Sequence, residues 1–411
     1  LGKRQELSTH LEKQLACAPL LPPFDQLEKP EVTGSTGYEM TTAKIDTNEV
    51  LVDCQSVWKI FGESAPAAMK AVVEKGLTKT QILQDYSCVV GVSDVSLQVR
   101  RGEIFCIMGL SGSGKSTLIR LLNKLITPSA GKVLVKGKDL SSLSPAQLRE
   151  VRAKHIGMVF QSVALLPNRT VLENTAFGLE VQGVGKAERY KVAERALAKV
   201  GLTDWASRYP NELSGGMQQR VGLARAITAD PEVILMDEPF SALDPLIRRQ
   251  LQDEFRQLTK ELGKSAVFIT HDLDEAIRIG DRIAIMKDGV IIQVGTAEDI
   301  VLNPADDYVA EFVAGISRLH LVKAHSVMTP LEPFKAANPG CDVSRLLKTT
   351  PDADINALIG LTMKSERDAL AVVDNGAVVG IITLRDLLRG VQGIPNEFAA
   401  TSTAAVLEAS A

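Results

Sequence analysis

One segment constrains this chain more than any other: Gly109-Leu110-Ser111-Gly112-Ser113-Gly114-Lys115-Ser116 satisfies the pattern G-x-x-x-x-G-K-[ST]. It follows the apolar run Ile104 to Met108, which reads as a buried strand, and leads into Leu118 to Leu125, which reads as an amphipathic helix. That strand-loop-helix context separates a phosphate-binding loop from a chance match; the bland alternative is a glycine-rich turn that binds nothing. Glycines let the backbone curl until successive N–H groups point at the β- and γ-phosphates, and the helix N-terminus adds positive potential. Lys115 supplies a full charge and Ser116 a hydroxyl ligand for magnesium, with Thr117 closing the loop.

A second element is Val233-Ile234-Leu235-Met236-Asp237-Glu238, an apolar strand ending in two carboxylates. Such a strand delivers Asp237 to the carboxyl edge of a sheet, where open α/β sheets bind ligands. Asp237 is expected to hold magnesium through water, and Glu238 to orient or deprotonate an attacking water. A solvated pair at a strand end would look the same in isolation. Together with the phosphate loop it predicts a P-loop ATPase that uses ATP and Mg2+.

Leu213-Ser214-Gly215-Gly216-Met217-Gln218-Gln219-Arg220 narrows the class, because it closely resembles the signature of the ABC ATPase family. Met217 departs from the Gln found in many members. The resemblance implies that Ser214 and the N–H groups of Gly215 and Gly216 face the γ-phosphate held by a partner subunit. Other elements follow in the family's order. Phe160-Gln161 resembles the strand edge whose glutamine, Gln161, reaches magnesium and relays ATP occupancy to the membrane partner. Ser241-Ala242-Leu243-Asp244 resembles the loop that crosses the subunit interface, and His271, after Phe268-Ile269-Thr270, resembles the switch histidine that contacts the γ-phosphate. Phe61 resembles the aromatic residue that stacks on adenine, with Trp58 as its competitor; both could instead be core residues.

One phosphate loop and one signature cannot close on the same nucleotide within a chain, so the resemblance implies a homodimer around a two-fold axis with ATP at the interface. DNA-repair members insert a long coiled coil between loop and signature, and the segment from 117 to 212 lacks the heptads for one. Translation-factor members carry two ATPase units per chain, whereas this one has one. A transport ATPase is therefore favoured. The insert from Ala65 to Cys88, with its helical pattern ending near Tyr86, and Phe240 to Arg248 resemble the glycine betaine/proline betaine uptake ATPases of bacteria. That likeness implies a quaternary ammonium solute, integral-membrane permease subunits and an extracytoplasmic substrate-binding protein. An ABC ATPase importing a different small solute is the alternative.

The remaining organisation agrees with this picture. At 411 residues the length favours two or three folded units, and 45% hydrophobic with 23% charged residues is a globular composition. A formal net charge of -4 gives no electrostatic reason to expect nucleic acid. No apolar run suits a membrane-spanning helix and the N-terminus lacks the apolar core of a secretory signal, so the chain is expected peripherally on the cytoplasmic face of the bacterial plasma membrane. The five cysteines show no metal-ligand spacing and read as buried or neutral thiols. The expected division is a flexible extension over 1–48, an α/β ABC ATPase domain with a helical subdomain over 49–315, a small α+β unit over 322–392 and a flexible tail over 393–411.

In that small unit Asp352 is expected to cap a helix presenting Ile355, Leu358, Ile359 and Met363 on one face. Ala369 to Val373 and Ala377 to Ile382 are expected to pair across Asn375-Gly376. Asp368 to Asp386 resembles the second half of a CBS motif, which makes Thr383 and Asp386 candidates for ribose and phosphate contacts, although both residues are also good helix caps. Only one copy is visible, and its expected role is to tune transport to ionic strength or a nucleotide signal.

Overall fold

The computed structural model describes residues 48–241, 243–364 and 368–394. The expected extension, apart from Asn48, and most of the expected tail lie outside the described residues. The first ten strands are β1 (Val50–Phe61), β2 (Val89–Arg100), β3 (Ile104–Met108), β4 (Ala130–Val135), β5 (Lys138–Asp139), β6 (Ile156–Val159), β7 (Val233–Asp237), β8 (Ser265–Thr270), β9 (Arg282–Lys287) and β10 (Val290–Gly295). They form a four-stranded antiparallel sheet, β2-β1-β4-β5, and a six-stranded sheet in the order β10-β9-β3-β8-β7-β6. In the larger sheet β6 to β9 and β3 run parallel, with β10 antiparallel on the edge.

Central parallel strands are covered on both faces, which is why β3, β7 and β8 are uninterrupted runs of buried residues. Alternation along each strand divides them between two cores. Cys106, Met108, Ile234, Met236 and Phe268 face one core with the helices Gly215–Thr228 and Pro245–Glu261. Phe105, Ile107, Leu235, Val267 and Ile269 face the other, where Leu118 to Leu122 lie between the two sheets. At the centre of the first core Phe268 lies 5.8 Å from Phe240 and 6.2 Å from Phe255, centroid to centroid. Phe268→Ala removes the middle of that trio, and its expected cost is about 3–5 kcal/mol, read as an earlier midpoint in denaturant unfolding.

The helical subdomain consists of Val171–Val181, Lys186–Lys199 and Gly215–Thr228 packed on one another. The insert between Phe61 and β2 folds as two helices, Ala65–Lys75 and Lys79–Tyr86, the second ending where the helical pattern does. Gly76 in the left-handed region ends the first (φ 63°), and Thr78 and Gln81 form a capping box on the second. Their apolar sides cover Ile60, Cys88 and Val90, giving the insert a small core of its own. Cys54, Cys88 and Cys106 are buried free thiols and Cys341 is half-buried, while Cys17 lies outside the described residues.

Beyond Val313 a third sheet, β11-β14-β13-β12, is built from β11 (Thr329–Pro330), β12 (Leu347–Thr349), β13 (Ala369–Asp374) and β14 (Ala377–Thr383). The hairpin β13–β14 turns at Asn375 and Gly376, both with positive φ (45° and 84°), as a type I′ turn requires. The helix over Ile355–Thr362 corrects the expected cap: Asp354, not Asp352, accepts the N–H of Ala357 at 2.8 Å. Ile355 and Leu358 are buried, but Met363 falls just past the helix end and is exposed. Thr383 and Asp386 form a reciprocal capping box on Leu384–Gln392, so the capping reading accounts for both.

This unit is fastened to the helix Ala297–Leu302, which follows β10. Glu298 accepts the Lys323 N–H at 2.8 Å and lies 3.5 Å from His325 Nε2, while Leu302 packs on the small unit's core. Among the described residues no helix is long and apolar enough to cross a membrane.

Candidate active site

Because β3, β8, β7 and β6 are consecutive parallel neighbours, their carboxyl ends deliver four short segments to one edge of the sheet. These are the loop from Gly109 after β3, His271 after β8, Glu238 after β7, and Phe160-Gln161 after β6. Phe160 and Gln161 thus stand just beyond their strand, and His271 just beyond Thr270.

The loop itself depends on two close backbone approaches. A Cβ on Gly109 (φ 153°) would fall 2.1 Å from Met286 O, and one on Gly114 (φ 102°) 2.3 Å from Gly91 O. Glycine is required at both, and the resulting curl leads into the helix Lys115–Leu122, which starts three residues before the apolar run suggests. Leu110, Ser111 and Gly112 are exposed. Lys115 is buried, and its Nζ donates to Gly109 O (2.8 Å) and Leu110 O (3.0 Å). Burial pushes its ammonium pKa down, opposed by the nearby carboxylates of Glu238 and Asp237. Ser113 Oγ is buried without a hydrogen-bond partner among the described residues. An orphaned hydroxyl inside a concave run of backbone N–H groups fits an anionic ligand rather than a closed turn.

Asp237 and Glu238 are placed for different roles. Asp237 is buried and accepts from Ser116 Oγ at 3.0 Å; burial raises its carboxyl pKa, with that hydrogen bond and Arg120 opposing. A hydroxyl and a carboxylate together, with Gln161 on the neighbouring strand end, form a hard-oxygen donor set of the kind that suits Mg2+. Glu238 follows in the left-handed region (φ 44°), an uncommon conformation for a non-glycine residue. Its N–H donates to Ile269 O at 3.1 Å, and its carbonyl accepts from Ser241 Oγ at 3.0 Å. The carboxylate lies 3.1 Å from His271 Nδ1. Ser241 also accepts from Gln161 Nε2 at 3.5 Å, so one hydroxyl touches both neighbouring segments. Behind His271, Thr270 Oγ1 donates to the buried Glu275 and accepts the Asp272 N–H at 2.9 Å, fixing the strand end.

Phe61 ends β1 and is 41% exposed, which suits a contact surface better than a core role. A Cβ on Gly91 would lie 2.7 Å from the Phe61 ring and 3.4 Å from Thr117 Cγ2, so the ring stands beside the helix that carries the loop. Lys59 Nζ lies 5.2 Å from its centroid. Trp58 packs on the insert's core instead.

The signature residues are not in this cluster. Ser214 caps the helix Gly215–Thr228, accepting the Met217 N–H at 3.4 Å, and Ser214 and Gly215 are exposed. A Cβ on Gly216 would lie 3.0 Å from Ile247, next to the start of the helix that Asp244 caps through Leu246 N. Leu110 and Leu246 are apolar yet 58% and 74% exposed. The sequence reading missed Ser241 as the link between Gln161 and Glu238, and Gly91 as the floor beneath Phe61; neither residue type carries a signal for such a contact.

Residues 92–241 match the ABC transporter family and residues 342–393 the CBS domain family. The glycine betaine/proline betaine transport system ATP-binding protein ProV of Salmonella typhimurium is 48% identical over 349 residues, 84% of this chain and 84% of that protein. The glycine betaine transport ATP-binding protein OpuAA of Bacillus subtilis is 52% identical over 291 residues, 71% of this chain and 69% of its own. Among solved structures, a dimeric ATP-binding cassette in a post-hydrolysis state with ADP and Pi aligns at 31% identity and a TM-score of 0.51, covering 60% of this chain and 99% of that one. With relatives this similar over most of its length and a CBS domain toward its carboxyl end, the chain belongs to the ABC transporter ATP-binding subunits, among the glycine betaine transport ATP-binding proteins.

Proposed function

We propose that this chain is the ATP-hydrolysing subunit of an importer for a quaternary ammonium osmolyte such as glycine betaine or proline betaine. In this reading residues 49–315 are the motor and 322–392 a regulatory unit. The observation that carries hydrolysis is the Glu238 carboxylate set beside His271 and one residue from the Ser116–Asp237 pair. Lys115 and the loop from Gly109 to Thr117 bind the phosphates, and Phe61 stacks on adenine. Ser116, Asp237 and Gln161 hold Mg2+, which when bound offsets the charge on the phosphate oxygens. Glu238 takes a proton from water as the water oxygen bonds to the γ-phosphorus and the bond to ADP breaks; His271 orients the γ-phosphate and Glu238.

Ser214, Gly215, Gly216 and Asp244 act on the nucleotide of a second copy, and the exposed Leu110 and Leu246 favour a covered face there. Closure on ATP and opening after hydrolysis then drive permease subunits fed by an extracytoplasmic binding protein, with this chain peripheral on the cytoplasmic side. The choice of solute rests on the transport activities that the relatives are named for.

The test is uptake of radiolabelled glycine betaine by cells carrying this chain with its cognate permease and binding protein. Uptake that proline betaine or choline competes, and that Glu238→Gln abolishes, is the expected result. ATPase activity in the purified chain without betaine uptake would leave the motor and overturn the solute.

A further inference from the structure

The insert between Phe61 and β2 reaches the nucleotide end of the sheet. Its second helix opens at Lys79, and a Cβ on Gly289 would lie 3.2 Å from Lys79 Nζ. Gly289 in turn donates its N–H to Ser113 O inside the phosphate loop at 2.8 Å, and its carbonyl accepts from Ser93 N at 2.8 Å. The same Cβ would sit 2.8 Å from Gly91 O, and Gly91 is the floor beneath Phe61 and Thr117. The Lys79 ammonium is therefore one residue removed both from the loop and from the corner where Phe61 meets the loop's helix.

Lys79 is half-buried, and burial pushes its pKa down, with the Asp288 charge as the opposing influence. Yet among the described residues its ammonium makes no hydrogen bond and no ion pair. A partly desolvated cation is costly unless something anionic meets it. The Asp288 carboxylate is the anion the protein sets nearby, and beside a loop built for phosphates a nucleotide oxygen would supply a closer one.

We infer that Lys79 is a further positioning residue for the nucleotide, its ammonium meeting the α- or β-phosphate in addition to Lys115. This rests on the reading that residues 109–117 bind ATP. The insert then supplies a second cation that the phosphate loop does not encode. A contact to the α- or β-phosphate acts alike on ATP and ADP and leaves the γ-phosphate chemistry alone.

Isothermal titration of the full chain with ATP and with ADP tests this for the native protein, Lys79→Gln and Lys79→Arg. Lys79→Gln is expected to weaken both nucleotides about 5- to 10-fold, with the deficit shrinking as salt rises. Lys79→Arg should recover most of it, kcat should stay near native at saturating ATP, and the nucleotide-free melting temperature should not move. Binding by Lys79→Gln within about twofold of native at low salt would overturn the inference. So would a fall in nucleotide-free melting temperature that Lys79→Arg fails to restore, since Lys79 would then only hold the insert in place. A native chain that binds no ATP at all would overturn the assignment of the loop itself.

Discussion

Glu238→Gln is expected to lower steady-state ATP hydrolysis by about 10²–10⁴-fold, the span of a positioned general base. The substitution keeps the shape and the neutral hydrogen-bonding ability of the side chain but removes the proton acceptor beside His271 Nδ1. ATP binding should survive, because neither the Lys115 contacts nor the Ser116–Asp237 pair involves Glu238. Nucleotide that binds but is not cleaved should hold two copies together, so sedimentation with ATP should show a dimer in the variant and a mixture that returns to monomer in the native chain. Hydrolysis near the native rate in the variant would move the base elsewhere, with His271 as the next residue to test.

Lys115→Ala should act on binding instead. A charge-assisted hydrogen bond is worth roughly 1.5–3 kcal/mol, which corresponds to about 10- to 150-fold in the Kd for ATP. Before nucleotide arrives the ammonium is engaged with Gly109 O and Leu110 O, so ATP takes over a group that is already oriented. The alanine chain loses that orientation as well as the charge, and the loop's carbonyls lose a donor. Fluorescent-nucleotide titration measures the affinity, and a melting curve without nucleotide separates a binding defect from a folding defect. A Kd unchanged by the substitution would remove Lys115 from the site.

The parts of this architecture that depend on local pattern were legible in the sequence. The strand over Ile104 to Met108 has the expected bounds, because a strand covered on both faces must be apolar throughout. Asn375-Gly376 turned the hairpin because few residue pairs accept two positive φ values in succession. Where neighbouring residues compete for one role the pattern was insufficient. Asp352 and Asp354 are equally good caps by type, and only the helix start at Ile355 selects Asp354. Contacts set by long-range packing left no trace: Ser241 meeting Gln161 across 80 residues, or the insert's Lys79 arriving beside Gly289. The positive φ of Glu238 was equally hidden, since nothing about a glutamate announces it; its N–H is held by Ile269 O on the neighbouring strand and its carbonyl by Ser241 Oγ three residues on.

The fastening of the carboxyl-terminal unit at Glu298 has a consequence for how signals travel. The helix carrying Glu298 follows β10, whose hairpin partner β9 lies against β3 and supplies Met286 O to the close approach at Gly109. On the next helix, Tyr308 receives the Lys287 ammonium 4.3 Å from its ring centre. Among the described residues the small unit is thus fastened to the helix that follows the β9–β10 hairpin, and through that hairpin it is two strands from the loop at Gly109. Any effector that settles there with a preference for one conformation of that loop must shift the affinity for ATP, and reciprocity then obliges ATP to shift the affinity for the effector by the same factor. A thermodynamic cycle closed from either end would give one number, and that number would be the strength of the coupling.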